Sequence, residues 1–251
     1  FAAYTKLLQN DPGNPLRHDA VASLYLDAGQ LDEAIGEYRQ SLRLNGDSAP
    51  THYNLGYALS VRGRRDEAVA EFEAALRIDP EYAQAHNNLG ALLQIGGQPD
   101  AALAHFQRAV ALRPDNVESR TNLGQLLSNR GRAAEAAVQF VEALALRGDN
   151  TQALGGLAWI RATAADPTLR DAVEAIRLAE RADEATRHQD VTVLDALGAA
   201  YAAAGRYSDA IHVAEIGFRL STSAGQVAIA AQFRQRLELY QTGQPLRMSQ
   251  P

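Results

Sequence analysis

Cysteine is absent from the 251 residues, which excludes disulfides, thiolate metal sites and thiol nucleophiles and leaves the redox compartment unread. Lysine is almost absent: Lys6 is the only one, and arginine supplies the remaining positive charge. The net charge is −6 and no lysine or arginine run interrupts the chain, so the electrostatic footprint of a nucleic-acid binder is missing. Aromatic residues make up 6% of the chain, with one tryptophan, against 46% apolar residues, many of them alanine. That balance suits closely packed helices better than sheets packed through large aromatic cores. No stretch approaches the roughly 20 apolar residues of a membrane span, and no charged-then-apolar leader opens the chain. Direct membrane insertion is not expected.

What the chain does contain is a period. "NLGYALSVRG" from Asn54, "NLGALLQIGG" from Asn88 and "NLGQLLSNRG" from Asn122 return every 34 residues. With Ala49 as a first residue, His52, Leu55, Gly56, Leu59, Gly63, Ala68, Phe72, Ala75 and Pro80 stand at offsets that recur as His86, Leu89, Gly90, Leu93, Gly97, Ala102, Phe106, Ala109 and Pro114. They recur again as Arg120, Leu123, Gly124, Leu127, Gly131, Ala136, Phe140 and Ala143, with Gly148 in the proline's place. Small residues such as Gly56 let two helices approach closely, and glycines such as Gly63 end a helix in the left-handed region. A period of this length, with these offsets, resembles the tetratricopeptide repeat (TPR), a helix-turn-helix unit. The resemblance implies an all-α, right-handed superhelical solenoid of antiparallel helix pairs, each unit packed on its neighbours.

The register divides residues 1–251, taken as a single array, into repeats 15–48, 49–82, 83–116, 117–150, 151–190 and 191–223. Residues 1–14 form an orphan second helix of a truncated repeat, 224–242 a C-terminal capping helix, and 243–251 a tail. The start at Phe1, inside a repeat, is expected to reflect a cut from a longer protein. The fifth repeat departs from the pattern: "ATAADPTLR" replaces the short glycine turn, lengthening the connection by about two residues. Asp166 is predicted to cap a second helix that starts at Pro167 and runs to about Arg187, with Ala172, Ile176 and Ala179 at the alanine and aromatic offsets. The capping helix, Gln226 to Thr242, places Val227, Ala230, Ala231, Phe233, Leu237 and Tyr240 near helical spacing.

The residues that could carry chemistry are few. His18, His52 and His86 recur at the period, but equivalent side chains in stacked repeats lie on the order of 10 Å apart, too far for shared ligation at about 2.0 to 2.1 Å. No nucleophile elbow, phosphate loop or zinc-binding helix motif is present. No catalytic residue, metal site or cofactor is expected, and the chain reads as a non-catalytic scaffold. Asn54, Asn88 and Asn122 occupy the sixth position of consecutive repeats. With Tyr53, Tyr57, Asn87, Gln94 and Gln125 they outline a polar groove, in which amides supply both donors and acceptors to the backbone of an extended peptide. The same asparagines are equally readable as local helix contacts or family ancestry. Trp159, at the ninth position of its repeat, is either a groove anchor or core beside the enlarged turn. Hydrogen bonds worth about 0.5 to 1.5 kcal/mol each set a micromolar or weaker affinity.

The asparagine series resembles the TPR superhelix of O-GlcNAc transferases, whose groove asparagines hold substrate peptides; Asn54, Asn88 and Asn122 are the matching positions. The groove lacks the lysines and arginines of the co-chaperone carboxylate clamp. "LAWIRATAADPTLRDAVEAIRLAERA" and "LDALGAAYAAAGRYSDAI" are similar to C-terminal TPR segments of large bacterial proteins, some with a membrane glycosyltransferase-like region upstream. These resemblances imply a protein or peptide partner, or alternatively service as the substrate-recruiting arm of a larger enzyme, tethered to a membrane upstream. A further alternative is self-association through Phe1, Tyr4, Leu7 and Leu8 on the orphan helix. The compartment and the partner's identity are not legible.

Overall fold

The computed structural model describes residues 11–248; the expected orphan helix with Phe1, Tyr4, Leu7 and Leu8 lies outside them. Among the described residues there are thirteen α-helices, one three-residue 3-10 turn and no strands. The chain forms two compact units, Phe1–Pro114 and Asp115–Pro251. The first holds α1 (Pro15–Asp27), α2 (Leu31–Leu44), α3 (Ala49–Val61), α4 (Arg65–Ile78), α5 (Ala83–Ile95) and α6 (Pro99–Leu112). The second holds α7 (Val117–Asn129), α8 (Ala133–Leu146), α9 (Thr151–Thr163), the turn Pro167–Leu169, α10 (Ala172–Ala185), α11 (Val191–Ala203), α12 (Tyr207–Ser223) and α13 (Val227–Gln241).

In three helix pairs, α3 with α4, α5 with α6 and α7 with α8, an aromatic ring of the second helix is seated on a glycine of the first. Phe72 and Phe106 are fully buried, and a Cβ built on Gly56 or Gly90 would stand 2.9 Å from the facing ring. Gly124 and Phe140 repeat the arrangement in the second unit at 2.8 Å. Burying each phenylalanine contributes on the order of 1.5–3 kcal/mol, and only a missing side chain opposite leaves room for it. Alanines on both sides of each ring, such as Ala68 and Ala75, are fully buried as well.

The ends of the helices follow two rules. Most first helices begin on a polar cap: Asn14, Ser48, Asn116, Asn150 and Asp190 each accept an amide of the first turn. Most second helices follow a glycine turn with no side-chain cap and instead carry acids in the first turn, such as Asp66 and Glu67, which complement the positive end of the helix. At the turn after α3, Gly63 has φ +82°. The amides of Arg62, Gly63 and Arg64 then return to the carbonyls of Ala58, Ser60 and Leu59, so the last carbonyls of α3 are paired locally.

The fifth repeat breaks the second rule, and its second helix begins later than expected. Asp166 caps only the short turn Pro167–Leu169, while Asp171 accepts the Glu174 amide and starts α10 at Ala172. The helix ends at Ala185, not near Arg187, because Arg187 and His188 turn to positive φ. Its buried face is Ala175, Leu178, Ala179 and Ala182, so the alanine offset falls three residues beyond the expected Ala172. The insertion is therefore larger than two residues. Ala179 stands where the second, third and fourth repeats place phenylalanine, and Ala158 replaces the facing glycine; two small side chains substitute for one ring on a bare backbone.

The terminal helix buries less than its spacing implies. Phe233 and Tyr240 are its buried residues, whereas Val227, expected on the same face, is 79% exposed. Phe233 covers Gly217, where an added Cβ would come within 2.2 Å of the ring, and Tyr240 lies 3.6 Å from the equivalent point on Gly198. The sixth repeat has Ala214 where a phenylalanine would stand, and α13 supplies an aromatic side chain to its glycine from outside the repeat.

Candidate functional site

The recurring histidines act as stitches. His18 Nδ1 lies 2.6 Å from Glu37 and its Nε2 3.0 Å from the Pro12 carbonyl. His52 repeats this with Glu71 and the Gly46 carbonyl, at 2.6 and 3.1 Å. Each ring ties the loop before its helix to the partner helix. In the third repeat the carboxylate is replaced by His105, whose Nδ1 lies 2.9 Å from that of His86, while His86 Nε2 keeps its carbonyl at Pro80. A neutral His86 donates from Nε2 to that carbonyl, so its Nδ1 accepts from His105. Burial lowers the pKa of both rings, and the two imidazoles further disfavour each other's charge at His105. Arg120 continues the series through Gln139 and Glu142. Among the described residues no group of three or more potential ligands converges on a metal position.

In the first unit the predicted groove residues divide by burial. Asn54 and Asn88 are half-buried on the first helices α3 and α5, and Tyr57 is 43% exposed. Asn88 Nδ2 donates to Tyr53 Oη at 3.3 Å. The Tyr53 ring is held in turn by Tyr82 and Phe72, with centroids 4.9 and 5.8 Å away. Asn87 departs from expectation. It is only 4% exposed, and its amide donates to Asn88 Oδ1 at 3.3 Å; it orients the neighbouring asparagine and does not present itself to a ligand. Gln94, near the end of the same helix, is half-buried.

In the second unit the first helices α7, α9 and α11 line an open cavity of about 610 Å³. Its wall includes Gln125, Asn129, Gln152, Trp159, Asp190 and Asp195. Gln125 donates to Asn129 Oδ1 at 3.1 Å, and Asn122 is half-buried on the same helix. Trp159 is half-buried and lines the cavity. The Arg236 guanidinium stands 5.6 Å from that ring and forms an ion pair with Asp195 at 3.0 Å. The next residue at the asparagine offset is Gly156, also in the wall. A Cβ there would fall 2.4 Å from Phe140 Cζ, which is why the asparagine series stops.

Several lining residues were not found from the sequence, among them Gln152, Asp190, Asp195 and Met248. Met248 is part of the wall of this cavity and of an adjoining one of about 500 Å³. Its amide donates to the Thr163 carbonyl at 2.8 Å, and Arg247 Nη1 donates to the Ala162 carbonyl at 3.1 Å. The absence of a glycine turn after α9 was legible; the segment that serves its carbonyls, 85 residues downstream, was not. Pairing across that separation has no periodic signal.

The site consists of amides, hydroxyls and carboxylates around one indole, which equips it for hydrogen bonding and apolar contact. Comparison with known proteins bears on what such an arrangement serves. A family model described as tetratricopeptide repeat matches residues 47–115 and again 81–149, and one described as TPR repeat matches 22–60. No curated protein matches the chain significantly. The chain is similar to the crystal structure of YrrB, described as a TPR protein with an unusual peptide-binding site, at 26% identity and TM-score 0.62, covering 76% of this chain and 96% of that one. It is similar to MamA at 25% identity and TM-score 0.55, covering 59% of this chain and 86% of MamA. PilF of Pseudomonas aeruginosa shares the fold at 19% identity and TM-score 0.61, over 89% and 90% of the two chains.

Proposed function

The chain belongs to the tetratricopeptide repeat family, a fold that presents surfaces for protein interaction, and from that premise we propose that it is a non-catalytic module that binds an extended peptide on its first helices. The observation that carries this reading is the second-unit cavity, where Gln125, Asn129 and Gln152 surround Trp159. Side-chain amides match the alternating donors and acceptors of a peptide backbone, and an indole supplies apolar contact at low entropic cost. In the first unit, Asn54 and Asn88 stand where the resemblance to O-GlcNAc transferases puts peptide-holding asparagines, and Tyr53 and Asn87 fix the orientation of Asn88.

A few amide hydrogen bonds at about 0.5 to 1.5 kcal/mol each, less the cost of ordering the peptide, give an affinity in the micromolar range. Screening the intact chain and a Gln125→Ala, Gln152→Ala, Trp159→Ala variant against an array of extended peptides tests the reading. The intact chain should select a subset, and the variant should lose about tenfold or more in affinity for it with unchanged helical content. Equal recovery by both removes the second-unit cavity as the binding site.

A further inference from the structure

The last carbonyls of α9 are served in an unusual way. In α3 a glycine turn closes over the final carbonyls from the residues that immediately follow. In α9 the Ile160 carbonyl accepts from Ala164 and the Arg161 carbonyl from Asp171, at 3.0 and 2.9 Å. Those of Ala162 and Thr163 accept from Arg247 and Met248. Ala162 and Thr163 are fully buried, so their carbonyls need these partners. The segment Leu246–Met248 thus makes one backbone hydrogen bond, places a guanidinium at the negative end of a helix, where cations are favoured, and sets a flexible apolar side chain between two cavities.

These are the contacts of a bound extended peptide. Resting on the reading of this cavity as the peptide site, we propose that Leu246–Met248 is a resident segment at its edge, with Met248 in the wall, and that the partner is an extended segment carrying a cationic side chain followed by an unbranched apolar one, which takes the same place and continues into the cavity. Backbone N–H to the Thr163 carbonyl fixes the register, the cation meets the Ala162 carbonyl, and the apolar side chain enters beside Trp159. Asp190 in the wall favours a basic over an acidic segment, whereas Asp195 is already paired with Arg236. Because the tail is tethered, its effective concentration is on the order of millimolar, so weak contacts suffice to keep it seated. A tail seated nine-tenths of the time weakens a partner's apparent affinity about tenfold.

The test uses the full chain and a labelled peptide copying residues 243–251. The full-length Arg247→Ala, Met248→Asp variant should bind this peptide about tenfold more tightly than the unaltered chain, and a peptide carrying the same two changes should not bind. Trp159 is the only tryptophan, so its emission reports the cavity directly: it should shift to the red in the variant and return when the peptide is added. Equal affinity for the two proteins, or binding to neither, overturns the proposal. Hydrogen exchange on the unaltered chain needs no variant: the Met248 amide should be protected and should lose protection under excess peptide. Free exchange of that amide overturns the proposal even where the cavity still captures other peptides, and protection without capture of any peptide removes the groove reading and with it the proposal.

Discussion

At Gly156 a single missing methyl group decides where the asparagine series ends. An alanine there would place its Cβ 2.4 Å from the Phe140 ring, and overpacking of this kind costs about 1–3 kcal/mol, more than the roughly 1 kcal/mol that alanine gains over glycine in a helix. Gly198 offers the contrast: its nearest atoms stand at 3.6 Å, so Gly198→Ala should be neutral or stabilising by up to about 1 kcal/mol. Urea unfolding of the two variants checks the pair, and equal midpoints would contradict the packing account. The His86–His105 contact makes a prediction in pH. Both rings are lowered from 6.5 in the folded chain, so the unfolded chain takes up protons first as the pH falls. Their contribution to stability is complete above about pH 6.5 and is lost as pH drops through the depressed folded values. His105→Glu restores the pairing seen at His18–Glu37 and His52–Glu71 and should make the decline shallower between about pH 7 and pH 5, measured as unfolding midpoint against pH.

For the helices, what the sequence shows is what repeats. Gly56, Phe72 and Ala68 announce their contacts because the same triplet returns at Gly90, Phe106 and Ala102. The start of α10 was misplaced because Asp166-Pro167 and Asp171-Ala172 are both acceptable helix openings locally. Which one wins depends on Ala175, Ala179 and Ala182 reaching the core, a tertiary requirement without a sequence marker. Asp171→Ala should therefore cost about 1 kcal/mol, the usual loss of an N-cap, and Asp166→Ala distinctly less, since it caps only a three-residue turn; chemical denaturation of the two variants distinguishes them. The candidate site was legible at the same level of detail. The offsets placed Asn54, Asn88, Gln125 and Trp159 on first helices, where the structure has them. The burial of Asn87 was not legible, because adjacent helical positions lie only about 100° apart and polarity alone does not say which one faces a neighbouring helix.

Across the whole molecule, composition and period account for the fold: many alanines, few aromatics, and rings that recur opposite Gly56, Gly90 and Gly124. No described helix is long and apolar enough to cross a membrane. The functional claim rests on the second unit, where an irregular repeat brings Trp159, the amides of Gln125 and Gln152, and Met248 around one cavity. Photo-crosslinking tests it most directly: a peptide selected by the intact chain is synthesised with a photoreactive group and the attachment points are mapped. The account predicts crosslinks on the cavity wall of α7, α9 and α11, at residues such as Gln125, Gln152 and Trp159. Crosslinks confined to the exposed faces of α8 and α10, at residues such as Val138 and Val173, would contradict it.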